Sequence, residues 1–146
     1  LESFQAGLSW ITILRKRENF RKAFDNFDYQ KIANYPDEKV EELMQDAGII
    51  RNRLKILATI SNAQKFIETQ TEFGSFSKYI WDFIGGKPII NLPKKLKDVP
   101  ATTQISDKLA KDLKKRGFKF LGPPVVYAHM QATGLVDDHV TGCWVI

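Results

Sequence analysis

The sequence predicts an all-α fold in a single domain, and three observations carry that expectation. Apolar residues recur at spacings of three and four along nearly the whole chain. Glycines and prolines fall at the ends of those stretches. Strand-like runs are nearly absent, since Pro-Pro-Val-Val at 123–126 is too short and too proline-bound to be one. At 146 residues, 43% hydrophobic and 27% charged, the chain can bury a core and has the composition of an ordinary globular protein.

Near the start, Phe4, Leu8, Ile11 and Leu14 lie on one helical face. Phe20, Ala23, Phe24 and Phe27 repeat the spacing between 18 and 27. A short helix over 37–45 is entered at Pro36, turns Val40, Leu43 and Met44 inward, and stops at Gly48. The longest candidate runs from Asn52 to about Phe73, with Leu54, Leu57, Ile60, Ala63 and Ile67 as its stripe and Gly74 as its terminator. Ser75 opens a helix carrying Phe76, Tyr79, Ile80 and Phe83, which ends at Gly85 and Gly86. Pro88, Pro93 and Pro100 make 87–103 a long irregular connection. Ser106 caps a helix reaching Lys115, with Asp107 in its first turn and Lys114, Lys115 and Arg116 at its end, the charge order a helix dipole favours. A last helix follows Gly122 and Pro123 and runs to about Thr133.

Lys and Arg number 22 against 17 Asp and Glu, a net charge of +5 that suits a polyanionic partner. Cys143 is the only cysteine, which excludes an internal disulfide framework and fits an intracellular compartment. No apolar run approaches the roughly 18 residues needed to cross a membrane, and nothing resembles a cleaved signal. There is no internal repeat. The chain begins at Leu1, inside a helical pattern and without an initiator Met, so an N-terminal portion is expected to precede it in the complete protein.

The stretch LKKRGFKFLGPPVVYAHMQATGLVDDH, 113–139, is the one most suited to nucleic acid. A helix ends in a basic turn, and a second begins just past Gly122, a residue able to take backbone angles closed to others. Pro123 is pre-set for a first helical turn. Exposed N–H groups there would form an anion site, ringed by Lys114, Lys115, Arg116 and Lys119. A helix-hairpin-helix element over about 106–134 grips phosphate in this way without reading sequence. The alternative is a plain helical corner with solvated lysines. The usual hairpin places two glycines around one apolar residue. Here Phe120 and Gly122 flank Leu121, so the first glycine's role must be met differently.

Four segments in order, ESFQAGLSWITILRKRENFRKAF at 2–24, DAGIIRNRLKI at 46–56, LKKRGFKFLGP at 113–123 and MQATGLVDDHVTGC at 130–143, resemble the 3-methyladenine DNA glycosylase I family. The resemblance implies a helix-hairpin-helix DNA glycosylase fold and excision of 3-methyladenine from double-stranded alkylated DNA. The damaged base is flipped out of the stack and its N-glycosidic bond hydrolysed. The methyl at the base's N3 makes the adenine cationic and a good leaving group. The resemblance implies a monofunctional enzyme with no lyase step, and consistent with that no lysine in these motifs stands where a Schiff base would form. A monomer acting inside the cell at the nucleoid is implied.

On the same resemblance, Glu2 accepts hydrogen bonds from the base's polar edge and favours its positive charge. Trp10, eight residues on and so on the same helical face, supplies a stacking wall, with Gln5 and Ser9 lining the pocket. Asp137 stands where the wider superfamily places an aspartate that assists the sugar's oxocarbenium charge and where this family commonly has an asparagine; the competing reading is a cap made by an aspartate pair. His139 and Cys143 match half of a structural zinc site. Its other Cys and His belong to the N-terminal stretch, so zinc is expected in the complete protein and not as a properly formed site in this chain. Arg51 and Arg53, with Lys55, are candidates for the DNA backbone beside Lys115, Arg116, Lys119 and Gly122, although Ile49 and Ile50 in that segment suit a plain core equally. Two other classes remain open: a hairpin DNA-binding module without catalysis, and a helical scaffold whose basic surface is incidental.

Overall fold

Burial of three phenylalanines organises the first half of the chain. The rings of Phe4 and Phe20 lie 4.6 Å apart, and those of Phe20 and Phe24 6.2 Å apart, all three fully or nearly fully buried. The computed structural model describes residues 1–145. The first helical stretch is broken rather than continuous: α1 covers Glu2–Gln5, α2 Trp10–Arg15 and α3 Arg17–Ala23. Gly7, at φ +78°, turns the chain between α1 and α2. Phe4 and Ile13 are buried while Leu8, Ile11 and Leu14 are exposed, so the single face expected from their spacing does not form.

After α3, Asp25, Asn26 and Phe27 all take left-handed backbone angles, which ends helical geometry before Phe27. A helix the spacing did not anticipate, α4 (Tyr29–Ala33), is capped by Asp28, whose carboxylate accepts from the N–H groups of Gln30 and Lys31. Then come α5 (Asp37–Gln45) and the long α6 (Arg53–Phe73), capped by Asn52 and ended at Gly74 with φ +87°. The buried side of α6 carries Lys55, Ile56, Ala58, Ala63 and Thr69. The expected stripe is thus rotated: Leu54 is 70% exposed, and Leu57 also faces outward. Ser75 caps α7 (Phe76–Phe83).

Within the irregular connection that follows, β1 (Ile89–Ile90) pairs in parallel with β2 (Val136–Asp137), Ile89 opposite Val136. This two-residue ladder is the sheet content of the described residues, and the fold is all-α. The next helix, α8 (Gln104–Lys115), is capped by Thr103. Ser106 is the reciprocal partner of that cap and not the cap itself. Last is α9, Pro123–Ala132.

Two apolar clusters result. One gathers the three phenylalanines with Ile32, Leu43 and Ile56; the other gathers Tyr79, Leu109, Leu113, Tyr127 and Met130 from α7, α8 and α9. Helix α6 serves both, through Ile56 on one side and Phe66 and Phe73 on the other. Among the described residues no helix is long and apolar enough to cross a membrane. Phe20→Ala removes the centre of the first cluster and is expected to cost about 3–5 kcal/mol in urea unfolding. An unchanged midpoint would mean that this cluster does not hold the N-terminal helices.

Candidate functional site

Helix α1 is too short to be stable alone, and its placement comes from packing against α6 and α9. That placement sets Glu2 beside His129 of α9, Oε1 lying 3.9 Å from Nδ1. At that distance the contact is too long for a hydrogen bond. The His129 side chain, ahead of opposing partial burial, holds the Glu2 carboxyl below the usual carboxylate range. Glu2 is therefore a carboxylate at neutral pH, with acceptor capacity left for a ligand. It lines a cavity of about 270 Å³ between α1, α4, α6, α7, α8 and α9, walled by Tyr29, Phe66, Phe76, Leu109, Val126 and His129 among others.

Gln5, Ser9 and Trp10 do not join Glu2 in lining that cavity. The turn at Gly7 breaks the helix that was to put Trp10 and Glu2 on one face, so the spacing argument for them fails. Gln5 Nε2 instead donates to the Leu8 carbonyl at 2.7 Å, and Ser9 Oγ lies 2.6 Å from Thr12 Oγ1, so both shape the loop between α1 and α2. Trp10, 43% exposed, opens α2 with much of its indole in solvent.

The hairpin forms between α8 and α9, with a different internal logic from the one its spacing suggests. Gly122 has φ −71° and ψ 169°, angles open to any residue. The left-handed positions are Gly117, at φ +100°, and Phe120, at φ +57°. Phe120 thus fills the first glycine's role at the cost of a strained backbone. Asn62 of α6 holds this loop by both backbone groups of Lys119: its Nδ2 donates to the carbonyl at 2.9 Å, and its Oδ1 accepts from the N–H at 2.8 Å. A Cβ on Gly122 would meet only Pro124 Cδ, 4.0 Å away, so the chain itself does not demand glycine there. Pro123 and Pro124 both lack an N–H, which leaves Gly122 and Val125 as the first donors at this helix start. The anion site is narrower than expected.

The basic residues divide. Lys115, Lys119 and Arg51 are exposed. Arg53 makes a two-pronged contact to Glu41, at 2.6 and 2.9 Å, on an exposed surface. Arg116 is turned inward: it donates to Asp112 at 2.8 Å and Glu72 at 2.7 Å and packs over the rings of Phe73 and Tyr79. Tyr79 donates to the same Asp112 at 2.5 Å. Arg116 therefore braces α6, α7 and α8, which corrects its assignment to DNA.

Asp137 accepts from the His139 N–H at 3.0 Å and lies 2.7 Å from its Nδ1, and the His139 backbone and ring hold its carboxyl below the usual range. The arrangement is a turn onto His139 rather than a helix cap, and it engages Oδ1 of the carboxylate. The neighbouring Asp138 is the one bound to the hairpin helix, accepting from Tyr127 at 2.5 Å, Gln131 at 2.8 Å and, from the connection, Asn91 at 2.7 Å. Engagement of Nδ1 leaves Nε2 of His139 as its nitrogen for a metal. His139 and Cys143 are two donors where tetrahedral zinc takes four, and no group of three or more candidate ligands exists among the described residues. These residues alone do not make a closed zinc site.

Spacing missed the pairing of His129 and the role of Asn62, and it read Lys55 as a candidate for the DNA backbone, whereas that side chain is buried against the α1 carbonyls. A polar residue on a helix reads as solvated, and no local signal says that α1 or the hairpin loop lies opposite. In class, the molecule is an all-α protein of the helix-hairpin-helix glycosylase kind. The methyladenine glycosylase family model matches residues 1–146, and the chain belongs to that family. DNA-3-methyladenine glycosylase 1 of Escherichia coli is 50% identical over 143 residues, 98% of this chain and 76% of that protein. A crystal structure of 3-methyladenine DNA glycosylase I matches with a TM-score of 0.93 at 51% identity, over 98% of this chain and 79% of that one. A structure on the recognition of 3-methyladenine by the Staphylococcus aureus 3-methyladenine DNA glycosylase I matches with a TM-score of 0.94 at 38% identity, over 98% and 76% of the two chains.

Two outcomes follow for the hairpin. Arg116→Ala is expected to cost about 1–3 kcal/mol of stability without altering how DNA affinity falls with salt. Lys119→Glu is expected to weaken affinity for every sequence and to flatten that salt dependence. Anisotropy titrations across a salt series separate the two, and equal slopes for both variants would remove the distinction. Gly122→Ala is expected to leave thermal unfolding unchanged while weakening DNA binding about tenfold if a phosphate backbone approaches its open side. Unchanged binding would take Gly122 out of the interface.

Proposed function

We propose that this chain is a monofunctional DNA-3-methyladenine glycosylase that removes 3-methyladenine from alkylated double-stranded DNA by base flipping and hydrolysis of the N-glycosidic bond. The observation that carries the reading is Glu2, an ionised carboxylate at a cavity otherwise walled largely by apolar and aromatic side chains. In such surroundings a carboxylate attracts a cationic base far more than it does in water. It also accepts hydrogen bonds from the base's amino edge. A normal adenine offers no positive charge, so the same carboxylate discriminates against undamaged DNA.

The hairpin and its exposed lysines hold the phosphate backbone while the damaged nucleotide swings out. The bond from C1′ to the base breaks with its electron pair leaving on the base, which cancels the base's charge. Water supplies the oxygen that C1′ gains and loses a proton to solvent, leaving an abasic site. The base departs neutral, so the protein's part is to hold, orient and desolvate it. Trp10 offers an exposed indole for stacking as the base arrives. Asp137, engaged by His139, is assigned to orienting that histidine rather than to the sugar. The structural zinc of the family would take His139 and Cys143 as two of its ligands, with two more from outside these residues. The enzyme acts as a monomer inside the cell, at the nucleoid.

Free-base release from methylated DNA, resolved by chromatography, tests this reading. The parent is expected to release 3-methyladenine, and Glu2→Gln to lower the rate at least about a hundredfold while DNA affinity stays within about twofold. Salt-sensitive binding with no base release by the parent would return the non-catalytic clamp.

A further inference from the structure

Among the described residues Lys55 is the one buried lysine, 7% exposed, and base excision as proposed makes no use of it. Its Nζ donates to the Phe4 carbonyl at 2.7 Å and to the Ala6 carbonyl at 2.5 Å. Those are carbonyls at the C-terminal end of α1, where a helix leaves acceptors unpaired and its dipole favours a cation. The same ammonium lies 5.8 Å from the centre of the Phe120 ring, the strained residue of the hairpin loop. Its backbone N–H closes the Asn52 cap, so the residue sits in the first turn of the longest helix. One side chain therefore touches both the helix that carries Glu2 and the loop that precedes Gly122.

We propose that Lys55 is a positioning residue for base excision: by binding the α1 carbonyls under the Phe120 ring, it sets Glu2 at a fixed place relative to the hairpin that holds the DNA. The inference rests on the glycosylase reading given above. Helix α1 has four residues and no side-chain cap at its start, and the loop after it turns at Gly7 with little packing around it. Nothing internal to so short an element fixes its angle. Two hydrogen bonds from a charged donor, one buried and one partly buried, supply that constraint. Burial lowers the lysine's pKa from its ordinary value, a desolvation cost to the charged form at this place. Its hydrogens point at carbonyls, so Nζ is a clamp and not a nucleophile for the sugar.

The test is single-turnover release of 3-methyladenine alongside DNA affinity, for the parent, Lys55→Met and Lys55→Arg. Methionine keeps the length and loses the donors. It is expected to lower the excision rate at least about tenfold while DNA affinity changes less than about threefold. Arginine, which can reach both carbonyls, is expected to recover most of that loss, a recovery that mere filling of space does not produce. Should Lys55→Met not fold, Lys55→Gln takes its place with the same expectation, having fewer donors for the two carbonyls. Hydrogen exchange at the Leu8 amide, bonded at 2.7 Å to the Gln5 carbonyl, should quicken in Met or Gln and not in Arg. An active parent with an equally active Lys55→Met overturns this inference and leaves the glycosylase reading intact. So does an arginine variant no better than methionine, or affinity falling in step with rate. A parent that releases no base overturns both.

Discussion

The structure depends on α6 as a rigid member to which two weakly self-supporting elements are tied through their backbones. At one end Lys55 binds the carbonyls that end α1. Two turns along, Asn62 binds both backbone groups of Lys119 in the hairpin loop. Neither α1 nor the loop has hydrogen bonds enough to fix its own position, and both carry groups on which function turns. A side chain bound to backbone fixes position whatever the neighbouring side chains are. An unmet buried carbonyl at Phe4 would cost about 1–3 kcal/mol, which makes the Lys55 bond to it hard to lose.

The hairpin shows the same economy. Phe120 in a left-handed conformation carries a strain of about 1–2 kcal/mol, held in place by Asn62 on one side and the Lys55 contact on the other. Two successive prolines preorganise the start of α9 while removing two donors from it. On the proposed reading, phosphate binding there would lean on charge from Lys115 and Lys119 and on the open side of Gly122 more than on a ring of amides. Arg116, next to them in sequence, serves the core instead, braced by Asp112 and Glu72.

The helices that carry long apolar repeats or clear caps, α5 to α9, were legible in the sequence, as was the hairpin between the last two. Glu2 was singled out through the resemblance of its segment to a family and not through its spacing, and it lines the cavity. Three things were not legible, each for a stated reason. The break at Gly7 hides within an unbroken apolar period, and only the left-handed angle reveals it. Helix α4 is a single turn that depends on the Asp28 cap. The face of α6 was read from Leu54 and Leu57, whereas burial selects Lys55 and Ile56, because α1 offers carbonyls that a lysine can satisfy. Pairings across the fold, such as His129 with Glu2, leave no trace in local pattern.

The central claim is that a cationic purine is received at Glu2 while the hairpin holds its parent strand. The measurement that tests it most directly is a crystal structure of the chain with a duplex containing a stable abasic analogue, soaked with free 3-methyladenine. The account predicts the base within hydrogen-bond distance of the Glu2 carboxylate and a strand phosphate at the Gly122 and Val125 amides. A base seated away from Glu2, or DNA lying on a surface that leaves the hairpin loop in solvent, would contradict it.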